Sequence, residues 1–362
     1  MIEKITSSQL GSIIYLMILS NCIGTTTNTV LTIARQDSWL SIILALIIGF
    51  IPLIIILSIM NYKPELNIIE KNQILFGKIL GNIINAIVVI TVFLLAIIAL
   101  WDLTNFISSQ YLYYTPPFLI GICFIITIIY LLYKDIIIIA RTCFILFIIG
   151  FFLYFLGFFG LIWQIDLNRI KPFLEISFTN IGYGAILTII YNIIPLYIIT
   201  IIPKSKINYR RLNLSCLLWY FFSLMILFII VFLIESIFGP NLAILYQYSP
   251  FHLIKNISLF GFINRVEKTF SLRWIFYLVI FITMCLYFIL EYFQTTFKKY
   301  PKKILKILIL ILPLLTLFFS EIIFQNNLDK EDFTMNYLPI ISISTLGLVP
   351  FITWIIIKLN KK

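Results

Sequence analysis

Apolar runs of about 20 residues recur along the whole chain, and that recurrence limits what it can fold into. A run of this length coiled as an α-helix matches the hydrocarbon thickness of a bilayer. The runs lack the strict alternation of membrane barrel strands, so helices are expected. Ten spans are read, at 9–33, 39–61, 82–108, 117–133, 142–164, 181–202, 213–238, 270–296, 304–324 and 337–358. With 62% hydrophobic and only 11% charged residues, and a mean hydropathy of +1.08, the chain lies far outside the soluble range. The expected class is an all-α integral membrane protein, one polytopic domain over residues 1–362. No cleavable signal peptide is expected, because Met1, Ile2, Glu3 and Lys4 lead straight into the first span.

Ten spans put both termini on one side, and the basic residues choose the side. Lys4, Lys63, Lys71, Lys78, Lys134, Arg141, Lys204, Lys206, Arg210, Arg211, Lys298, Lys299, Lys302, Lys303, Lys306, Lys358, Lys361 and Lys362 share one face, 18 of the 26 Lys and Arg residues. The positive-inside rule makes that face, with both termini, cytoplasmic. The net charge of +11 is then explained by solvated loops facing anionic lipid, with no need for nucleic acid. All five cysteines fall inside spans without metal or disulfide spacing, and the sole histidine, His252, falls in an outer loop. No nucleophile–base set, phosphate loop or metal signature is present, so neither an enzyme nor a cofactor is expected.

The first span carries a costly interruption. Ser20, Asn21, Cys22, Ile23, Gly24, Thr25, Thr26, Thr27 and Asn28 form a nonet with seven polar or glycine residues inside an apolar segment. In hydrocarbon such a stretch survives only against protein or a water-filled cavity. Either the hydroxyls bond carbonyls one turn back in a continuous helix, or the helix breaks and offers two half-helix ends to a small polar ligand. Seven such residues together favour the break. Span six has its own irregularity at Tyr191, Asn192, Ile193, Ile194 and Pro195, where proline removes a backbone donor. Spans one and six hold corresponding places in two five-helix halves, about 5–165 and 175–358, and matched interruptions point to a binding site.

The candidate ligand-binding residues are therefore Ser20, Asn21, Cys22, Gly24 and Thr25 on span one and Tyr191, Asn192, Ile194 and Pro195 on span six. Thr91 and Leu95 on span three and Phe281 and Cys285 on span eight lie at the same depth, each pair one turn apart. Asp102 is either a functional intramembrane acid or a carboxylate near enough to the surface to be solvated. Glu291 is expected to pair with the basic loop after it, and Asp329–Asp332 to be a solvated acidic turn. The outer loop 239–267 reads as a re-entrant segment or a lid.

Several short motifs fall into one register: Ser8-Gln9, Gln36-Asp37-Ser38-Trp39, Gly77-Lys78-Ile79-Leu80-Gly81, Thr115-Pro116, Arg265-Val266-Glu267 with Trp274 beyond it, and Leu338-Pro339. In their order and spacing the chain resembles the spore germination permeases, the B subunits of nutrient germinant receptors, distant relatives of the amino acid–polyamine–organocation transporters. The resemblance implies a LeuT-like fold of two inverted five-helix repeats with helices one and six broken, and a site among spans one, three, six and eight. It implies a spore inner-membrane location, a small amino-acid-like germinant, and two partners, a larger A subunit and a C lipoprotein. The chain departs from the family pattern at Ser20, where a glycine is usual, and at Pro195-Leu196-Tyr197, where a glycine–x–glutamate is usual. It departs again at Trp101 and Asn105, where an arginine and a glutamate are common.

Two functions fit this reading. One is a ligand-sensing receptor subunit that binds an uncharged amino-acid-like germinant at the midplane and signals to its partners. The other is a secondary amino acid permease of the same fold. The scarcity of mid-depth acids for ion coupling, apart from Asp102 and Glu291, favours the receptor.

Overall fold

The computed structural model describes residues 4–208, 211–257, 267–297 and 302–360. Arg210, Lys298, Lys299, Lys361, Lys362 and the Arg265-Val266 part of the motif lie outside them.

The described residues are predominantly helical, and their helices start and stop where the local chemistry says they should. Thr6 caps α1 (Ser7–Ser20) through a reciprocal capping box with Gln9. A wide π-type turn, Cys22–Thr26, leads into α2 (Thr27–Ala34). The chain turns at Arg35, whose φ of 42° ends the helix, and continues through α3 (Ser38–Ile48) and α4 (Phe50–Asn61). Pro52 stands in the first turn of α4, just after the Gly49 junction with α3. Next come α5 (Ile68–Leu75), capped by Asn67 and Glu70, α6 (Lys78–Gln110) and α7 (Pro117–Leu132), which begins on proline as its sequence predicts. They are followed by α8 (Ile136–Leu161), α9 (Phe178–Thr188), α10 (Leu212–Ala243) and α11 (Ser249–Lys255). The last five are α12 (Glu267–Thr296), α13 (Lys302–Ile323), α14 (Asn327–Asp332), α15 (Leu338–Ser342) and α16 (Leu348–Leu359).

Among the described residues, eight helices are long and apolar enough to cross a membrane, with Ser7–Asn61 counted as one of them. The expected count of ten differs in two places. The stretch Ser7–Asn61 holds the turn at Arg35 and spans both 9–33 and 39–61; Pro117–Leu132, with 16 residues, is shorter than the usual spanning length.

Between α4 and α6 lies α5, which is anchored by a buried lysine. Lys71 donates from Nζ to the carbonyls of Ile59 (3.0 Å) and Met60 (3.4 Å), at the C-terminal end of α4. Those carbonyls are orphans of the helix end, and a cation there also meets the negative end of the dipole. Burial lowers the Lys71 ammonium to about 8.

The interior is organised around α1 and α12. The α1 helix is buried along nearly its whole length between α8, α10 and α12, and α12 packs in turn along α6. Gly150 lets α8 approach α12, since a Cβ there would meet the Tyr277 hydroxyl and Arg273 Cδ of α12 (3.2 Å). The connection at 35–38 is a joint buried at Gln36, Asp37 and Ser38. Both carboxylate oxygens of Asp37 accept backbone N–H groups, from Leu174 (2.9 Å) and Ile176 (3.1 Å). Ser38 donates its N–H (3.2 Å) and its hydroxyl to Glu235 of α10.

Candidate functional site

The two interruptions expected from the sequence are present, but as changes of winding. Thr26 and Thr27 keep right-handed helical angles, and the Thr26 N–H bonds the Asn21 carbonyl at 3.0 Å, one residue further back than in an α-helix. Residues Ile189–Ile193 form a second π-type turn, and Ile194–Ile201 then tighten into a 3-10 helix. The expected unwound segments, with their runs of free amides and carbonyls, are therefore corrected. Helical hydrogen bonding is kept, as an apolar surrounding demands.

Pro195 explains how the two segments find each other. It has no N–H for the carbonyl of Tyr191 one turn back. That carbonyl instead accepts Asn21 Nδ2 at 2.7 Å, from the turn in α1–α2. A second clasp joins Thr26 and Asn192, with Asn192 Nδ2 donating to Thr26 Oγ1 at 2.9 Å. On the other side, Trp274 Nε1 of α12 donates to the Ser20 carbonyl at 2.5 Å. Ser20, Asn21, Tyr191 and Asn192 thus belong to one bonded junction.

Next to this junction lies a buried ion pair. Asp102 of α6 is 4% exposed, and its Oδ1 stands 2.8 Å from Lys330 Nζ of α14. Thr25 joins the two: its hydroxyl donates to Asp102 Oδ2 (3.2 Å) and accepts from Lys330 (2.9 Å). Gly24 makes room for the carboxylate, because a Cβ at that position would stand 3.3 Å from Asp102 Cγ. Asp102 is therefore not solvated. Nor is the turn 329–332 purely a solvated acidic one, since Lys330 is only 3% exposed and reaches inward. Asp329, by contrast, does stay at the surface beside Asn326.

A polar cavity of about 190 Å³ opens beside the pair. Gly24, Thr25, Asn28 and Thr29 form one wall, Lys330, Glu331 and Thr334 another, and Gln247 part of a third. Lys330 and Thr25 stand between this space and Asp102. The wall is stiffened from behind, where Tyr191 Oη donates to the Thr334 carbonyl at 2.6 Å.

The remaining predicted residues are arranged differently. Ile194 borders a second, apolar cavity of about 120 Å³ with Pro52, Gly347 and Pro350. Cys22 is fully buried, its Sγ 3.8 Å from Thr27 Oγ1. Thr91 bonds its own helix at the Ile87 carbonyl (3.2 Å), and Leu95, Phe281 and Cys285 are buried on α6 and α12, which pack together. Glu291 accepts the Tyr287 hydroxyl at 2.7 Å, and Lys298 and Lys299 of the basic loop expected to pair with it lie outside the described residues. His252 sits half-buried on α11, stacked on Tyr246 at 4.3 Å, with burial and Lys255 lowering its pKa. Sequence reasoning passed over three buried charges: Lys330, Glu235 and Arg273. Glu235 and Arg273 carried a usable signal, since an ionisable residue within a span is a functional hypothesis by default.

Comparison with solved structures places this architecture. The chain superposes on the crystal structure of the Eremococcus coleocola manganese transporter, solved in complex with an aromatic bis-isothiourea substituted compound. The TM-score is 0.60 at 15% identity, over 98% of this chain and 84% of that one, a similarity of fold alone. No curated protein matches the sequence. The family model for spore germination proteins matches residues 4–325, most of the chain with both irregular helices and the buried carboxylate, and the chain belongs to that family.

Proposed function

We propose that this protein is the membrane subunit of a nutrient germinant receptor, and that it binds a small amino-acid-like germinant in the cavity beside Gly24 and Thr25. The observation that carries the reading is the buried Asp102–Lys330 pair behind the Thr25 hydroxyl. A zwitterionic amino acid brings both charges that such a pair can exchange: its ammonium for Asp102, its carboxylate for Lys330. A net-neutral ligand leaves the buried charge balanced, whereas a strongly charged solute would not. The volume of about 190 Å³ suits a small molecule. Asn21, Ser20, Cys22, Tyr191, Asn192 and Pro195 act in this reading as the junction that senses occupancy. Thr91, Leu95, Ile194, Phe281 and Cys285 surround it as packing that a ligand-driven rearrangement would disturb.

The wider architecture is proposed as ten spans in two inverted five-helix repeats, over about 5–165 and 175–358, with both termini cytoplasmic. The turn at Arg35 supports counting Ser7–Asn61 as two spans, because a straight 55-residue helix would be about 80 Å long, far beyond a bilayer. Ligand binding would bias a two-state equilibrium by its differential affinity, and the shift would pass to an A subunit and a C lipoprotein in the spore inner membrane. Binding of a panel of amino acids to the purified chain, followed by heat-denaturation shift, tests the site. Saturable binding lost in both Asp102→Asn and Lys330→Met is expected; unchanged binding in both rejects it.

A second reading, a secondary permease, gains support from the transporter-like fold and from Glu235, a buried acid that the scarcity argument had not counted. Uptake of a radiolabelled amino acid into proteoliposomes would favour that reading; binding without uptake favours the receptor.

A further inference from the structure

Arg273 lies on α12 next to Trp274, which bonds the junction, and it makes no ion pair among the described residues. It is 4% exposed, and its Nε and Nη1 are buried without a hydrogen-bond partner. Its guanidinium stacks on Tyr154, with Cζ 3.3 Å from the ring centroid, and lies 6.0 Å from that of Phe270. Aromatic faces recover part of the desolvation of a cation, but they supply no acceptor for its N–H groups. A buried charged group with unmet donors is a strong demand for an anion.

The space in front of this guanidinium is already shaped. Arg273 borders a cavity of about 200 Å³, distinct from the polar one and apolar apart from it. Phe158, Ile226, Ile230 and Leu253 line its walls, contributed by α8, α10 and α11. Phe151 and Phe155 also border it and are 43% and 52% exposed on the apolar outer face of α8, so the cavity opens towards the lipid side. An apolar cavity that opens towards lipid and is bordered by one unpartnered cation matches one kind of molecule. We infer that this cavity binds an anionic amphiphile, its acyl chain against the phenylalanines and its singly charged oxoacid head on Arg273. A fatty acid carboxylate and an acidic phospholipid head share that chemistry.

The site borders the proposed receptor machinery without depending on that assignment. The next residue, Trp274, holds the Ser20 carbonyl at the start of the irregular turn, so occupancy of the cavity is mechanically adjacent to the junction.

The test uses the purified full-length chain in neutral detergent and a palmitate carrying a photoreactive diazirine, with labelled peptides mapped by mass spectrometry. Labelling should fall on the segments containing Phe155, Ile226 and Ile230. Arg273→Gln should lower it about tenfold, the loss of one charge-assisted contact, while Arg273→Lys retains most of it. Oleate should compete and oleyl alcohol should not, a comparison that needs no variant. Competition by phosphatidylglycerol at lower concentration than oleate assigns the head to a lipid; competition by oleate alone assigns it to a free fatty acid. Ile230→Trp, which fills the cavity, should abolish labelling. Equal competition by oleyl alcohol, or full labelling of a folded Arg273→Gln chain, overturns the inference.

Discussion

Two buried cations flank the same junction, and they are satisfied in opposite ways. Lys330 meets a carboxylate at 2.8 Å and a hydroxyl at 2.9 Å, so its charge is balanced within the chain. Arg273 meets a tyrosine face and unfilled space, so its charge is left for something outside the chain. The difference follows from the chemistry around each. Polar residues in the span-one nonet and on α14 assemble a polar corner at Lys330, whereas phenylalanine and isoleucine side chains dominate around Arg273. A paired charge is fragile to loss of its partner; an unpaired one has no partner to lose.

The sharpest way to break this comparison is Lys330→Met. It strands Asp102 in the interior, and a loss of about 3–5 kcal/mol is expected in denaturation of the detergent-solubilised protein. The charge-free double variant Asp102→Asn/Lys330→Met should recover most of that loss. If the double variant is as unstable as the single one, the two residues are not acting as a pair.

Gly24→Leu comes next. Its Cβ would start 3.3 Å from Asp102 Cγ, so the longer side chain must push the pair or its own helix aside. Overpacking of this kind typically costs about 1–3 kcal/mol, and amino acid binding should weaken while membrane insertion is retained. Binding curves and membrane protein levels, measured together, check both halves of the expectation.

Arg273→Gln should be milder than Lys330→Met, because it strands no carboxylate. The loss of its cation–π contact sets an upper range of about 1–2 kcal/mol. A penalty as large as that of Lys330→Met would mean that Arg273 has an anionic partner in the folded chain. The smallest effect is expected from Thr25→Val, which removes one hydroxyl and leaves the ion pair standing. A drop of about 1 kcal/mol in the same denaturation assay is expected.

Much of this was legible residue by residue. Helix starts at Thr6, Asn67 and Pro117 follow from caps and proline chemistry that act within one turn. The places where winding changes were also visible, in the polar nonet and at Pro195. Their form was not, because Asn21, Thr26 and Trp274 decide it through bonds to distant segments. Asp102 could be read as functional or solvated from its own span, and the turn holding Lys330 looked like ordinary surface.

The sequence by itself determined the membrane class, the approximate positions of the helices and the two points where helical order changes. Each of these depends on run length, composition or local backbone donors, which neighbours along the chain fix. Only the tertiary structure decided that Lys330 turns inward to Asp102, that Asn21 takes the carbonyl Pro195 leaves open, and that Arg273 faces an apolar cavity. Those outcomes depend on which faces of remote helices come together. Burial, and with it the strength of every charge interaction, is a property of that assembly and not of any one segment.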